Sequence, residues 1–243
     1  MGLGLRVGGA RILDEVTLQV APGEFLGVIG PNGAGKTTLF NLLSGLLTPT
    51  AGQVLVDGRD VTSWSATRRA RSGVGRTFQT SSVFPGLPVL ENVRLAAQAH
   101  LGGSLQVWRR AARSGPAVER AHECLGRVGL SHLEGSAAAL LSHGDKRKLE
   151  LAILLASEPR IILLDEPMAG VSAADVPDLT ALIRRVHLEQ RATVVMVEHH
   201  MDVVLGLADR IAVLHHGALL ATGSPTTVMA DEQVQQAYLG QPL

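Results

Sequence analysis

The stretch GPNGAGKTT, at residues 30–38, decides the fold of this chain. It fits the pattern G-x-x-x-x-G-K-[ST], whose four fixed positions are Gly30, Gly35, Lys36 and Thr37. An apolar run precedes the stretch and a run with helical character follows it, so the sequence predicts a strand, a phosphate-binding loop and a helix. Glycines let the backbone bend so that successive N–H groups face an anion, and the helix start adds the positive end of its dipole.

This loop predicts a bound nucleoside triphosphate. Lys36 can reach the β- and γ-phosphates, and the Thr37 hydroxyl can ligate Mg²⁺. The predicted nucleotide contacts are the residues of the whole loop: Gly30, Pro31, Asn32, Gly33, Ala34, Gly35, Lys36, Thr37 and Thr38. An ordinary glycine-rich turn is the structural alternative, and the strand and helix on either side argue against it.

The composition and net charge limit the classes of protein to which this chain can belong. The chain has 243 residues, 46% of them hydrophobic, which suits one large α/β domain or a core with an inserted subdomain. Its formal net charge is zero, so we expect no nucleic-acid partner. Cys124 is the single cysteine, which excludes an internal disulfide and favours a reducing cytoplasm. The N-terminal residues hold no long apolar run, so we expect no signal peptide. No apolar stretch approaches 18 residues, so we expect no membrane span.

Two kinds of sequence pattern alternate along the chain, one typical of strands and one typical of helices. Short apolar runs typical of strands recur at 160–165, 192–198 and 210–215, with helical patterns between them. This alternation predicts an α/β fold with parallel strands joined by helices. A middle stretch from 89 to 155 has helical spacing instead. We therefore predict a nucleotide-binding core, at 1–85 and 157–243, and an inserted helical subdomain, at 86–156.

A second candidate site follows the apolar run at 161–164. Asp165 and Glu166 come directly after this run. A strand buried on both faces would place them at the edge where ligands bind in open α/β sheets. A first carboxylate can hold Mg²⁺ and the next can accept a proton from attacking water. We therefore predict Asp165 as a metal ligand and Glu166 as the catalytic base, with an acidic turn as the structural alternative.

A third feature is LSHGD, at 141–145, which precedes the basic residues KRK, at 146–148. Ser142 and Asp145 have the spacing of a capping box at a helix start. Cations in the first turn oppose the helix dipole unless an anion lies nearby, so this start is typical of a phosphate-binding segment. Because the chain's one phosphate loop has its own helix, we infer that the anion belongs to a second molecule. A plain capped surface helix is the structural alternative.

Taken together, GPNGAGKTT, Gln79, LSHGD, IILLDEP and His199 resemble the ATP-binding cassette family over nearly the whole chain. LSHGD stands where the family has its LSGGQ signature. LSHGDKRKLELA, DEPMAGVS, VEHHM and QAYLG look most like the ATPase subunits of high-affinity branched-chain amino acid importers, including related urea and amide importers. The resemblance implies an α/β fold: a P-loop NTPase core of the ABC ATPase type with an N-terminal antiparallel β-subdomain and an inserted α-helical subdomain.

The resemblance also assigns residue roles. Gln79 is similar to the glutamine that reaches Mg²⁺ and the attacking water, and His199 resembles the switch histidine that contacts the γ-phosphate. Two cassettes of this family sandwich two ATP molecules head to tail, so Ser142 and Gly144 would bind the γ-phosphate of ATP held by a second cassette. The implied catalytic residues are Glu166, His199 and Gln79. The implied Mg²⁺ ligands are Thr37, Gln79 and Asp165.

The implied partners are a second cassette, identical or related, and integral-membrane permease subunits that hold the chain at the cytoplasmic face of the inner membrane. A periplasmic or extracellular solute-binding protein would act indirectly. The implied function is ATP hydrolysis that powers import of branched-chain amino acids. Import of urea or amides, extraction of lipid or lipopolysaccharide, and a regulatory cassette with weak catalysis stay open.

Three positions depart from the family pattern. Val7 stands where relatives stack adenine on an aromatic ring, so we expect weaker base recognition. Ser172 stands where the loop after DEP usually carries an acid or Asn. With Asp175 it could cap the next helix, although Pro177 leaves that helix start uncertain. Asp145 replaces the signature glutamine, and its charge near a triphosphate is unfavourable unless a neighbouring cation neutralises it.

Overall fold

The computed structural model describes residues 1–77, 83–102 and 115–239. The chain divides into two compact units. The first unit comprises Met1–Val74, Arg160–Glu166 and His187–Leu243. The second unit comprises Gly75–Pro159 and Pro167–Val186. The division at residues 86 and 156 that the sequence favours stays a prediction.

The strands are β1 (Leu3–Val7), β2 (Ala10–Val16), β3 (Phe25–Ile29), β4 (Leu55–Val56), β5 (Arg59–Asp60), β6 (Val74–Arg76), β7 (Ile161–Asp165), β8 (Thr193–Val197), β9 (Arg210–His215) and β10 (Ala218–Gly223). Within the described residues, six of them form one sheet in the order β10-β9-β3-β8-β7-β6. The neighbours β7, β8, β3 and β9 are parallel, as the alternating pattern predicts. The edge strand β10 is antiparallel to β9 and was not predicted.

The parallel strands are buried because their sequences are continuously apolar. Every residue of β3 is buried, and so are the last four residues of β7 and of β8. Such runs are typical of strands that helices cover on both faces. The core of the first unit continues into Phe40 and Leu42 of the helix that follows the phosphate loop. Each such side chain stabilises the fold by about 1.5–3 kcal/mol relative to an exposed one.

The helices are α1 (Lys36–Ser44), α2 (Ala66–Arg71), α3 (Val89–Leu101), α4 (Pro116–Val128), α5 (His143–Leu155), α6 (Val176–Gln190), α7 (Met201–Leu207), α8 (Pro225–Met229) and α9 (Glu232–Leu239). A buried arginine, Arg69, fixes the end of α1 by donating to the carbonyls of Leu42 and Leu43 at 2.5 and 2.8 Å. A cation at a helix C-terminus is favoured by the helix dipole.

Two antiparallel hairpins complete the first unit, β1 with β2 and β4 with β5. They agree with the antiparallel N-terminal part that the family resemblance implies. In the second unit, α3, α4 and α5 pack on one another, which confirms the helical middle of the chain within the described residues. Cys124 is buried there, and burial raises the pKa of its thiol. None of the helices the structure describes is both long and apolar enough to cross a bilayer.

Candidate functional site

The phosphate-binding loop leaves the carboxyl end of β3 and enters α1. Its path requires glycine at Gly30 and Gly35, where φ is 155° and 98°. A Cβ atom at Gly30 would stand 2.2 Å from the carbonyl oxygen of Leu214. A Cβ atom at Gly35 would stand 2.6 Å from a methyl carbon of Leu13. The neighbouring strands therefore leave space for the loop backbone alone.

Helix α1 begins without a capping side chain. Its N-cap is Gly35, whose backbone is left-handed and which offers no side-chain oxygen to the first turn. The first N–H groups of a helix have no partner within the helix, so an uncapped start presents them to a ligand. Together with the helix dipole, these N–H groups fit a phosphate.

The ammonium group of Lys36 lies inside the loop. Its Nζ donates hydrogen bonds to the carbonyls of Gly30 at 2.6 Å and Pro31 at 3.0 Å, and the residue is buried. Burial lowers the pKa of Lys36, and the negative charge of Glu166 opposes part of that shift. The loop therefore holds a fixed positive charge beside its N–H groups.

The two predicted acids lie at the carboxyl end of the strand that was expected to carry them. Asp165 is the last residue of β7 and is 1% exposed. Glu166 has a φ of 48°, which is uncommon outside glycine, and its N–H donates to Val197 O at 2.9 Å. This bond joins the residue to the end of β8. The turn gives the two neighbouring acids different environments, one buried and one facing the edge of the sheet.

His199 lies within hydrogen-bond distance of Glu166: the distance from Nε2 of His199 to Oε1 of Glu166 is 3.0 Å. Because Glu166 is near enough to act on the pKa of Lys36, the first unit brings a cation, a carboxylate and an imidazole to one edge of the sheet. This is the arrangement that a general base in phosphoryl transfer needs: a carboxylate held in place close to the phosphate-binding group.

A residue missed by the sequence analysis holds His199 in position. Glu198 is 2% exposed, and its Oε1 accepts hydrogen bonds from the backbone N–H groups of His199 at 2.8 Å and His200 at 3.2 Å. Nδ1 of His200 also lies 2.8 Å from that oxygen. An acid directly after a buried strand was the available signal, the same signal that identified Asp165.

The donor atoms at this edge suit Mg²⁺. Thr37 supplies a hydroxyl and Asp165 a carboxylate, both hard oxygen ligands. Mg²⁺ is usually bound through one or two carboxylates together with substrate phosphates, so a site with few protein ligands beside a phosphate loop fits this ion. The third predicted ligand, Gln79, lies outside the described residues.

In the second unit, the signature segment forms the start of α5. Ser142 is the N-cap, and its Oγ accepts a hydrogen bond from the N–H of Asp145 at 3.1 Å, which confirms the predicted capping. The same hydroxyl donates to Oδ2 of Asp145 at 2.8 Å. Gly144 is buried, and a Cβ atom there would stand 3.3 Å from Oδ2 of Asp175.

The loop before α6 contains the departure at Ser172. Its hydroxyl donates to Oδ2 of Asp175 at 2.6 Å. Helix α6 begins at Val176, with Pro177 in its first turn. Proline is tolerated in a first turn because the N–H that it lacks would have no partner in the helix. Pro177 therefore does not displace the start of the helix.

Two of the three basic residues at 146–148 lie beside acids of the same chain. Arg147 donates to Glu150 Oε2 at 2.8 Å and to Ala169 O at 3.1 Å, and Nζ of Lys148 lies 3.7 Å from Oδ1 of Asp145. Acids three residues away along the helix therefore lie beside both of these cations. Binding of a second molecule's phosphate at this helix start stays a prediction.

Comparison with known proteins agrees with these features. Residues 13–169 match the family described as ABC transporter, and residues 218–242 match the family described as branched-chain amino acid ATP-binding cassette transporter. The chain is 37% identical to the high-affinity branched-chain amino acid transport ATP-binding protein BraF of Pseudomonas aeruginosa, over 99% of this chain and 96% of BraF. The corresponding protein LivG of Escherichia coli gives the same identity and coverage.

Solved structures agree as well. A nucleotide-free ATP-binding cassette from an ABC transporter superposes with a TM-score of 0.87 and 29% identity, over 99% of this chain and 97% of that one. The ADP conformation of an ATP-binding cassette of an ABC transporter matches with the same TM-score, identity and coverage. The chain therefore belongs to the ABC transporter family, as one of its ATP-hydrolysing cassettes.

Proposed function

We propose that this chain powers the import of branched-chain amino acids by hydrolysing ATP. The cargo is supported by the names of BraF and LivG and by the match at residues 218–242. The observation that carries the hydrolytic part is the 3.0 Å contact between Glu166 and His199, at the edge where Lys36 lies in the phosphate loop.

In this proposal, the loop binds the phosphates of ATP through the N–H groups at the start of α1 and through Lys36. Thr37, Asp165 and Gln79 would hold Mg²⁺, which when bound neutralises charge on the phosphates. Glu166 accepts the proton of the attacking water while the water oxygen bonds to the γ-phosphorus and the bond from phosphorus to the ADP oxygen breaks. His199 keeps the carboxylate oriented and contacts the γ-phosphate.

The second half of each reaction centre comes from another cassette. Ser142 and Gly144 would contact the γ-phosphate of ATP held by that partner, and Gln79 would report on the permease. A ligand shifts a conformational equilibrium by as much as it prefers one state, so contacts made in the closed pair supply the drive for closure. Hydrolysis removes those contacts and lets the pair open.

We place the working protein at the cytoplasmic face of the membrane, bound to permease subunits that receive cargo from a solute-binding protein. A nucleotide-binding core at 1–85 and 157–243 would carry the chemistry. The helical subdomain at 86–156 would carry the signature segment and contact the permease. The same proposal applies to a pair of identical chains and to a pair with a sister cassette.

Exchange of the general base tests the hydrolytic part. Glu166→Gln keeps the size of the side chain and removes the proton acceptor, so we expect ATP to bind as before and turnover to fall at least about 100-fold. Glu119→Gln, at an exposed position of α4, makes the same exchange away from the site and serves as the control. Turnover at the wild-type rate in Glu166→Gln would contradict the assignment.

Uptake measurements test the cargo. The chain is expressed together with permease subunits and a solute-binding protein from the same organism, and uptake of labelled leucine and labelled urea is measured in cells. We expect leucine uptake that Glu166→Gln abolishes. Uptake of urea alone, or of neither, would overturn the assignment of cargo and leave the ATPase assignment standing.

A further inference from the structure

The hydroxyl group of Ser142 uses both its donor and its acceptor function on one residue, Asp145. Its oxygen accepts the backbone N–H of Asp145, and its proton is donated to the carboxylate of Asp145 at 2.8 Å. A serine hydroxyl has a single proton to donate. The proton that a γ-phosphate would receive from Ser142 is therefore already bonded within the chain.

The surroundings of Gly144 are also acidic. The carboxylate of Asp175 approaches from the neighbouring loop, 3.3 Å from the position of a Cβ atom on Gly144. Nζ of Lys148 forms an ion pair with Asp145 at 3.7 Å from Oδ1, beyond the usual length of a hydrogen bond. A phosphate that reached Ser142 and Gly144 would meet two carboxylates, which repel it.

The contact from hydroxyl to carboxylate is not required for the helix. Capping uses the Ser142 oxygen as an acceptor for the N–H of Asp145, and that N–H belongs to the backbone whatever residue stands at this position. Exchange of the Asp145 side chain therefore releases the hydroxyl proton while it leaves the cap of α5 in place.

We propose that Asp145 competes with the γ-phosphate for the hydroxyl of Ser142 and makes this signature segment a weak half-site. This rests on the proposed function, in which Ser142 and Gly144 bind the nucleotide of a second cassette. Closure of the pair must first break the bond between Ser142 and Asp145. In a pair with a sister cassette, the ATP that faces Asp145 would be held less tightly than the other ATP.

The test uses the full chain with Glu166→Gln, which keeps ATP intact. Sedimentation velocity gives the ATP concentration at which half of the protein is paired, with and without Asp145→Gln. We expect Asp145→Gln to lower this concentration about tenfold, equal to about 1.4 kcal/mol. Asp145→Asn removes the charge but keeps an acceptor oxygen at the same distance from the backbone, whereas the longer Gln side chain carries its oxygen one methylene farther out. We therefore expect a smaller gain of about threefold for Asp145→Asn. Asp178→Asn, an exposed acid in the first turn of α6, is the matched control.

Two outcomes would overturn the proposal. One is unchanged, weaker or undetectable pairing in the Asp145→Gln protein. The other is a gain that persists after Ser142→Ala is added, since charge removal alone would then explain it. Circular dichroism confirms that α5 still forms in each protein. ATP hydrolysis by the chain with Glu166 intact is measured separately, and its absence would count against the proposed function and not against the role of Asp145.

Discussion

The phosphate-binding loop and the signature segment both end at the start of a helix, yet the two starts are built in opposite ways. Helix α1 begins after Gly35, with no side chain across its first N–H groups. Helix α5 begins after Ser142, whose hydroxyl is bonded twice to Asp145. The first start has no side chain bonded to its N–H groups, whereas the second uses the N–H of Asp145 and the hydroxyl of Ser142 in internal hydrogen bonds.

This difference shows where each segment gets its geometry. The path of the phosphate loop is imposed from outside, by the backbone of β9 and the side chains of β2. The signature segment is held by its own side chains, within one helical turn. A site shaped by its surroundings is ready for its ligand, while a site shaped by internal hydrogen bonds must give one of them up to bind. The following predictions test this contrast.

The largest effect on stability is expected at Gly30, where a neighbouring strand lies closest to the phosphate loop. Gly30→Ala would place a methyl group 2.2 Å from Leu214 O, and backbone atoms must move to accommodate it. We expect a loss of about 3 kcal/mol or more in the free energy of unfolding. A Cβ atom at Gly33 would have no atom within 4 Å, so Gly33→Ala should lower the free energy of unfolding by only about 1 kcal/mol, the cost of a left-handed φ for alanine. Urea unfolding of both variants measures these free energies. Equal losses of stability would show that the neighbouring strands do not impose the path of the phosphate loop.

The same contrast explains what the sequence could and could not predict. The backbone conformation at Gly30 and Gly35 requires glycine, so the residue type itself shows the conformation. The loop and the strand before it could therefore be predicted from the motif. Asp145 was identified as a departure, but its bond to Ser142 depends on a choice of rotamer that spacing does not fix. Glu198 was missed because its partners are backbone N–H groups, which every residue except proline carries.

The next effect compares the lysines of the two segments. Lys36→Ala removes a charge held inside the loop by two carbonyls, so we expect ATP affinity to fall about 100-fold, in line with the strength of charge-assisted hydrogen bonds. Lys148→Ala removes a cation that stands 3.7 Å from Asp145, and ATP binding to the single chain should change less than about twofold. Calorimetric titration with ATP measures both. Similar affinities for the two variants would erase the distinction between the segments.

A smaller effect is expected at Glu198, whose carboxylate accepts hydrogen bonds from backbone N–H groups. Glu198→Gln weakens the acceptor for the N–H groups of His199 and His200, so His199 should lose its fixed approach to Glu166. We expect kcat for ATP to fall about tenfold with little change in KM, because the phosphate loop is untouched. His200→Ala removes an exposed partner of the same carboxylate and should change kcat less than about twofold. A parallel rise in KM would mean that Glu198 supports the fold in general and does not position His199.

The smallest effect lies at the opposite end of β3 from the phosphate loop, where Glu24 accepts hydrogen bonds from Arg210 at 2.7 Å and from the N–H of Ala21 at 2.6 Å. Burial would raise the pKa of Glu24, but these bonds outweigh it and the pKa is lowered. A lowered pKa means that the stabilisation is complete above the ordinary value for glutamate and is lost as pH falls below it.

Glu24→Gln should therefore cost about 1 kcal/mol at pH 7 and progressively less as the pH falls below the ordinary pKa of glutamate. Glu119→Gln, which is exposed, should show no such dependence. The bond between Glu24 and Arg210 joins residues 186 positions apart, whereas Arg147 and Glu150 in the signature helix are three apart. If acid unfolding of Glu24→Gln matches that of the unaltered chain at every pH, then the strands that impose the path of the loop do not depend on this long-range pair.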